Sequence, residues 1–262
     1  MIPIGVFDSG VGGLTVVRQV FKKLPDQKII YYGDTARVPY GGKPKEELIY
    51  LADIITNFLI SKGAKVIVDA CNSTSAVALE HLQNKYNIPV LGVIEPGVTS
   101  ALEATKNGKI GLIATKATVQ SGMHSRKIKE LSPNVKIYAQ SCPEFVPLIE
   151  EGKITGAEIK IAAQKYLLPL KKAGIDTLIL GCTHYPFIAP LLAEILGDDV
   201  TLVDPAVETV NQLCAYMPQR STQEVNNQYD FYVSGDAEQF GKIANELLAG
   251  YSVQNVEKLV VV

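Results

Sequence analysis

Cysteine is scarce in this chain. Four residues in 262 (Cys71, Cys142, Cys182 and Cys214) stand far apart, and no CxxC pair occurs. That is too little for a disulfide scaffold, and it offers no ribbon-type zinc site, so no metal is expected. Charge of either sign is not in excess: 25 Lys and Arg face 27 Asp and Glu, for a net charge of -2 and no basic block. Coating of nucleic acid, which needs a basic stripe to neutralise phosphates, is disfavoured. Long apolar runs are missing; the clean ones span four to six residues, against about 20 for a membrane helix. The start of the chain is strand-like and carries Asp8, unlike a signal peptide. No GxxxxGK[ST] and no GxSxG occurs, so P-loop and serine-hydrolase chemistry lose their main support. The expectation is a cytoplasmic protein with reduced thiols and a small-molecule partner, with neither nucleic acid nor membrane.

What is present is an α/β pattern. At 47% hydrophobic and 20% charged residues the chain is an ordinary globular one, long enough for about 1.7 domains of average size. Short β-branched runs predict strands over 2–7, 28–32, 65–69, 90–93, 109–114, 135–139, 177–181, 200–203 and 229–234. Their continuous apolar character suits strands buried on both faces, as in parallel sheets covered by helices. Helices are predicted over 14–23, 44–62, 73–86, 118–131, 157–172, 187–195, 207–217 and 237–248. The clearest starts at Pro44, stops before Gly63 and repeats Leu48, Leu51, Ala52, Ile55 and Leu59 on one face. A faint repeat aligns Ile4–Gly10 with Ile110–Lys116 and Val66–Asn72 with Thr177–Thr183. It suggests two α/β halves of roughly a hundred residues each.

Each apolar strand ends in small or polar residues. Asp8-Ser9-Gly10, Gly33-Asp34-Thr35, Cys71-Asn72-Ser73, Thr115, Ser141-Cys142 and Cys182-Thr183-His184 all occupy such ends. Open parallel sheets bind ligands outside the carboxyl ends of their strands, so these residues are candidates for one cleft. Asp8–Gly13 is a glycine-rich turn before a helix and could cradle an anion, but it is not the GxGxxG of dinucleotide sites. Cys71 and Cys182 both sit where a strand gives way to a turn, where helix dipoles favour a thiolate. Cys142 and Cys214 have the ordinary reading of small core residues, and His81 and His124 that of structural histidines. His184 lies two residues from Cys182, a spacing at which side chains on an extended turn point apart; a Cys–His pair is not implied. Two thiols facing one ligand from opposite halves would suit proton removal on one face of a carbon and delivery on the other.

Seven ordered segments carry a resemblance: FDSGVGGLTV (7–16), YGDTARVPYG (32–41), ACNSTSA (70–76), GVIEPG (92–97), IATKATVQSG (113–122), CPEFVPLIEEG (142–152) and LGCTHYP (180–186). Together they resemble the glutamate racemases of the cofactor-independent aspartate/glutamate racemase family. The resemblance runs from the first strand to about Ser234-Gly235-Asp236.

It implies two similar α/β domains, each a mostly parallel sheet flanked by helices, with the active site at their interface. The first domain would combine 1–96 with 207–262, and the second would span 97–206. Cys71 and Cys182 would be the acid–base thiols, Asp8 assisting the first, Glu150 and His184 the second. Asp8, Ser9, Tyr40, Gly41, Asn72, Ser73, Thr183 and His184 would hold the amino and carboxylate groups, with Thr115 and Thr118 nearby. The family normally has Thr where this chain has Ser73, which keeps the hydroxyl but has no methyl to touch the ligand. Glutamate would be the substrate, no cofactor would be needed, and a homodimer supplying D-glutamate for peptidoglycan is expected. An aspartate racemase would typically carry Thr-Glu after the second cysteine, where this chain has Thr183-His184. A cysteine hydrolase using Cys182 would need no Cys71, and a binding protein would bind glutamate without exchanging its α-proton.

Overall fold

The computed structural model describes residues 2–217, 229–248, 250, 251, 253 and 255–262. Met1 and 218–228, part of the expected first domain, lie outside the described residues. Ten strands form two sheets among the described residues. They are β1 (Ile4–Asp8), β2 (Ile29–Gly33), β3 (Val66–Asp69), β4 (Val90–Gly92), β5 (Lys109–Ala114), β6 (Lys136–Ser141), β7 (Thr177–Gly181), β8 (Thr201–Val203), β9 (Tyr229–Val233) and β10 (Val256–Lys258). All of their pairings are parallel. β1, β2, β3 and β7 are buried along their whole length, which is what their unbroken apolar sequences require. β6 lies at a sheet edge and is half exposed, with Lys136 and Gln140 on an edge that charge and polarity keep from pairing further.

The strand orders are β10-β9-β2-β1-β3-β4 and β6-β5-β7-β8. Four strands of the first sheet, β2-β1-β3-β4, therefore match the whole of the second, strand for strand. The repeat read in the sequence falls on this match: β1 corresponds to β5 and β3 to β7. β9 and β10 extend the first sheet only. In each sheet the chain leaves the central strand to one side and returns on the other, so a crevice opens at the carboxyl ends of β1 and β3, and of β5 and β7.

Helices cover both faces of each sheet. Leu14–Lys23 packs its Val16, Val17 and Val20 against Ile4 and Val6, while Ala52, Ile55 and Leu59 of Lys45–Ser61 pack against Phe7 and Ile30 on the other face. In the second sheet, Ala157–Ala173 covers Leu178 and Leu180, while Ile94–Ala104 covers Ile110 and Leu112 on the opposite face. Each fully buried Leu or Ile of these layers stabilises the fold by about 1.5–3 kcal/mol relative to exposure. Pro205–Cys214 packs on both Leu14–Lys23 and Ile94–Ala104, so one helix touches both halves.

Three helix expectations need correction, and one helix, Ile94–Ala104, has no counterpart among them. The helix expected over 73–86 is two pieces, Asn72–Ser75 and Leu79–Lys85, because the chain turns at Ala76–Ala78. The one expected over 118–131 breaks at Gly122, whose φ of 65° places it in the left-handed region. Ile94–Ala104 is a helix despite Pro96, which stands in the first turn where a missing N–H costs nothing. Helix 207–217 instead spans Pro205–Cys214, set by the Asp204 cap that accepts from the Ala206 amide at 3.0 Å. Phe145–Glu150 and β10 are further elements that the sequence pattern left unassigned.

Candidate active site

The two crevices share one cavity. It is lined by Ser9, Pro39, Tyr40, Gly41, Cys71, Asn72, Ser73, Thr115, Val146, Cys182, Thr183 and His184. Cys71 follows β3 and Cys182 follows β7, the matched strands of the two sheets. Both thiols are free and buried. The cavity lining contains no Lys or Arg. Arg37 turns away instead, to Asp34 at 3.0 Å and to the Val261 carbonyl at 3.1 Å. Asp34 in turn accepts from the Tyr40 hydroxyl, which fixes the ring that forms part of the cavity wall.

The surroundings of Cys71 are polar and acidic. Its thiol faces Ser9 Oγ at 3.9 Å, and its amide donates to Asp69 Oδ1 at 3.2 Å. Burial, followed by the nearby Asp8, pushes the thiol up to about 12, so it holds its proton in this state. Asp8 is fully buried at the end of β1. It accepts from the Gly10 amide at 2.9 Å and from the Thr183 hydroxyl at 3.1 Å, so it ties the first sheet to the loop that follows Cys182.

Cys182 stands at the head of a hydrogen-bonded chain. Its Sγ lies 3.8 Å from His184 Nδ1, and His184 Nε2 lies 2.5 Å from Glu150 Oε1. The expectation that residues 182 and 184 point apart is therefore corrected. The Tyr185 amide donates back to the Cys182 carbonyl at 3.1 Å, which curls the segment and brings both side chains to one side. Burial alone would lower the His184 pKa, but the bonds to Cys182 and Glu150 outweigh it and hold the imidazole well above its ordinary value. A charged ring there sets a positive charge beside the Cys182 sulfur.

Hydroxyls line the remaining wall. Ser73 Oγ and Thr115 Oγ1 lie 3.0 Å apart, and Thr115 Oγ1 lies 3.1 Å from Thr118 Oγ1. This links the end of β3 to the end of β5. A Cβ on Gly41 would sit 2.5 Å from Thr115 Cβ, and one on Gly12 would sit 2.7 Å from His184 Nδ1; only glycine allows the two halves to close this tightly. Of the thirteen residues anticipated from the sequence, Asp8, Glu150 and Thr118 stand behind the lining, each bonded to a residue that is in it. Pro39 and Val146 line the cavity without having been singled out. Neither carries a polar signal, although both lie within the seven ordered segments. Among the described residues no group of three or more His, Cys, Asp or Glu is placed to hold a metal ion, and no helix is long and apolar enough to cross a membrane.

Fold and site together define a duplicated, doubly wound α/β protein with a thiol from each half in one cleft. The chain belongs to the Asp/Glu/hydantoin racemase family, whose family model matches residues 13–213. It is 44% identical over 254 residues to the glutamate racemase of Desulforudis audaxviator strain MP104C, covering 94% of this chain and 93% of that one. Among solved structures, a glutamate racemase isoform of Bacillus anthracis superposes with a TM-score of 0.91 at 38% identity, over 99% of this chain and 97% of the other. The Francisella tularensis glutamate racemase, solved with D-glutamate, gives 0.90 at 38% identity over the same shares.

Proposed function

We propose that this protein is an isomerase that interconverts L- and D-glutamate, without a cofactor, by proton transfer between the substrate α-carbon and two thiols. The observation that carries this reading is the placement of Cys71 and Cys182 in one cavity at matched strand ends, each with its own polar partner. In the L-to-D direction a Cys182 thiolate, paired with the His184 imidazolium, removes the α-proton. Cys71, which holds its proton, delivers it to the opposite face. The D-to-L direction runs in reverse. Asp8 assists Cys71, and Glu150 supports Cys182 through His184.

An α-proton is far less acidic than a thiol, so the site must stabilise a carbanion-like transition state with donors already in place. Backbone amides and the hydroxyls of Ser9, Ser73, Thr115 and Thr183 supply these, together with Gly41 and Asn72; Thr118 backs Thr115, and the Tyr40 ring, held by Asp34, closes the wall. A lining without Lys or Arg leaves both enantiomers similarly held. The division into 1–96 with 207–262 and 97–206 belongs to this proposal, supported by the two matched sheets. So do a cytoplasmic location, a homodimer and a role in supplying D-glutamate for peptidoglycan, with no nucleic-acid or membrane partner.

The test is incubation with L-glutamate in heavy water without added cofactor, following optical rotation and α-deuteration. The expected result is loss of rotation with deuterium in the product. Folded protein that neither racemises nor exchanges the α-proton overturns the proposal.

A further inference from the structure

Asp69 closes β3 two residues before Cys71 and takes no part in the proton transfers themselves. It is fully buried. Its Oδ1 accepts from the Cys71 amide at 3.2 Å and from the Thr74 hydroxyl at 2.6 Å. Thr74 Oγ1 also lies 3.1 Å from the Cys71 carbonyl, which accepts from the Ser75 amide at 2.9 Å. Ser75 Oγ donates to the Asp69 carbonyl at 2.9 Å. Both backbone polar groups of Cys71 are thus tied into one small knot around the Asp69 side chain. The other carboxyl oxygen, Oδ2, is inaccessible and has no partner among the described residues.

Resting on the racemase reading, we propose that Asp69 is a positioning residue for Cys71: as a neutral carboxylic acid it clamps the turn that carries the thiol, without adding a negative charge beside it. The carboxyl is fully buried, its bonded partners are an amide and a hydroxyl rather than a cation, and Oδ2 meets no donor. An oxygen left without a partner in a buried site costs an ionised carboxylate far more than a neutral carboxyl. The titratable groups around this corner are Asp8 on β1, Tyr31 on β2, Tyr40 in the loop after β2 and Cys182 on the second sheet, with the cations one step further out: Arg37 on Asp34 behind Tyr40, and His184 behind Cys182; neither bonds Asp69. Burial drives the carboxyl well above the usual carboxylate range, against the Thr74 bond that pulls it down, and Asp8 adds to the rise. The consequence is functional. Cys71 must become a thiolate during turnover, and a second carboxylate charge at its own amide would oppose that step.

Three full-length variants and one spectrum test this. Asp69→Asn keeps an acceptor at Oδ1 and stays uncharged, so kcat should hold within about threefold and the pH profile of kcat/KM should not move. Asp69→Val removes the clamp and should lower kcat by about 30- to 100-fold at little changed KM. Thr74→Val, which removes one of the two donors, should fall between. Infrared difference spectra of wild type against Asp69→Asn at neutral pH should show a protonated carboxyl band in the wild type only. A purely structural role would move stability but not the split between kcat and KM, while the band reports whether the carboxyl is protonated. The proposal is overturned if Asp69→Asn loses as much as Asp69→Val, if it shifts the pH profile by about one unit, if the band is missing, or if folded Asp69→Val keeps wild-type kcat. Should Asp69→Val fail to fold, Thr74→Val, Asp69→Asn and the spectrum still decide. A wild type that does not racemise glutamate sinks the functional reading alone, because the infrared band reports on Asp69 either way.

Discussion

Replacing Glu150 by Gln tests the Cys182 side of the site most directly. His184 is buried and its Nε2 reaches Glu150 Oε1 at 2.5 Å, while a quarter of the Glu150 side chain remains exposed (25%). Hydrogen bonds to a charged group contribute about 1.5–3 kcal/mol. Partial solvent screening places this one near the lower half, about 2 kcal/mol, or about 30-fold in rate. Glu150→Gln keeps the shape and removes the charge. The fall should appear in kcat/KM and should be equal for L- and D-glutamate, because the enantiomers have equal free energy and their ratio is fixed. A second consequence concerns pH. Burial pulls the His184 pKa down, and the bonds to Cys182 and Glu150 hold it up. With one support gone, the imidazolium loses its proton at lower pH, and the basic limb of kcat/KM moves toward acid. Circular dichroism of each enantiomer, followed across pH, measures both effects. A folded Glu150→Gln enzyme with kcat/KM within about twofold of wild type and an unmoved profile would refute the reasoning.

Cys71→Ser and Cys182→Ser should each cost at least about 10²–10⁴-fold in racemisation, read by the same dichroism assay with folding checked separately; full activity in either rejects the two-thiol mechanism. Gly41→Ala, whose new methyl would meet Thr115 at 2.5 Å, should raise KM and cut kcat/KM by about tenfold or more; wild-type kinetics would show that the halves tolerate a methyl at this joint. His124 is buried with both ring nitrogens unpartnered among the described residues, and burial lowers its pKa from 6.5 to about 4. The unfolded chain then binds the extra proton, so stability is full above pH 6.5 and falls as pH drops toward the folded value. The loss is about 3 kcal/mol by the lower end of that window. Urea midpoints of His124→Leu should be flatter across this range than those of wild type; equal slopes would contradict it.

Much of the fold was legible because buried parallel strands must be apolar throughout, and runs such as Val66–Asp69 and Thr177–Gly181 can be little else. The elements that escaped are those where tertiary contacts override local signals. Pro96 and Gly97 stand in the opening of a helix that periodicity did not mark, and Gly122 halves what periodicity joins. Most of the cavity lining could be read from one rule, that polar residues at strand ends gather at the carboxyl edge of a parallel sheet. Pro39 and Val146 could not, since an apolar wall leaves no chemical trace in sequence. Asp69 was hidden for a related reason. An acid at the end of an apolar strand looks like a solvated boundary, and only the folded chain shows it sealed under Thr74 and Asp8. The Cys182–His184 contact depends on one backbone bond, from the Tyr185 amide to the Cys182 carbonyl, that residue spacing cannot reveal.

The duplication accounts for both the likeness and the difference of the two thiols. Matched strands β3 and β7 deliver Cys71 and Cys182 to equivalent ends, so two halves facing each other bring one thiol to each side of a shared cleft. Their helpers are not duplicated. Cys71 sits among Ser9, Asp8 and Asp69, a setting that retains a proton, whereas Cys182 faces an imidazole charged through Glu150. In a racemase with two identical thiol settings, the resting proton arrangement would be arbitrary. Under the proposed two-thiol reaction the settings are unequal, with an imidazolium beside Cys182 and a proton held on Cys71, so the two directions of proton transfer start from different sites. Equal kcat/KM in the two directions is still required by the equal energies of the enantiomers. The asymmetry must therefore surface elsewhere, in unequal kcat and KM values for L- and D-glutamate that compensate each other.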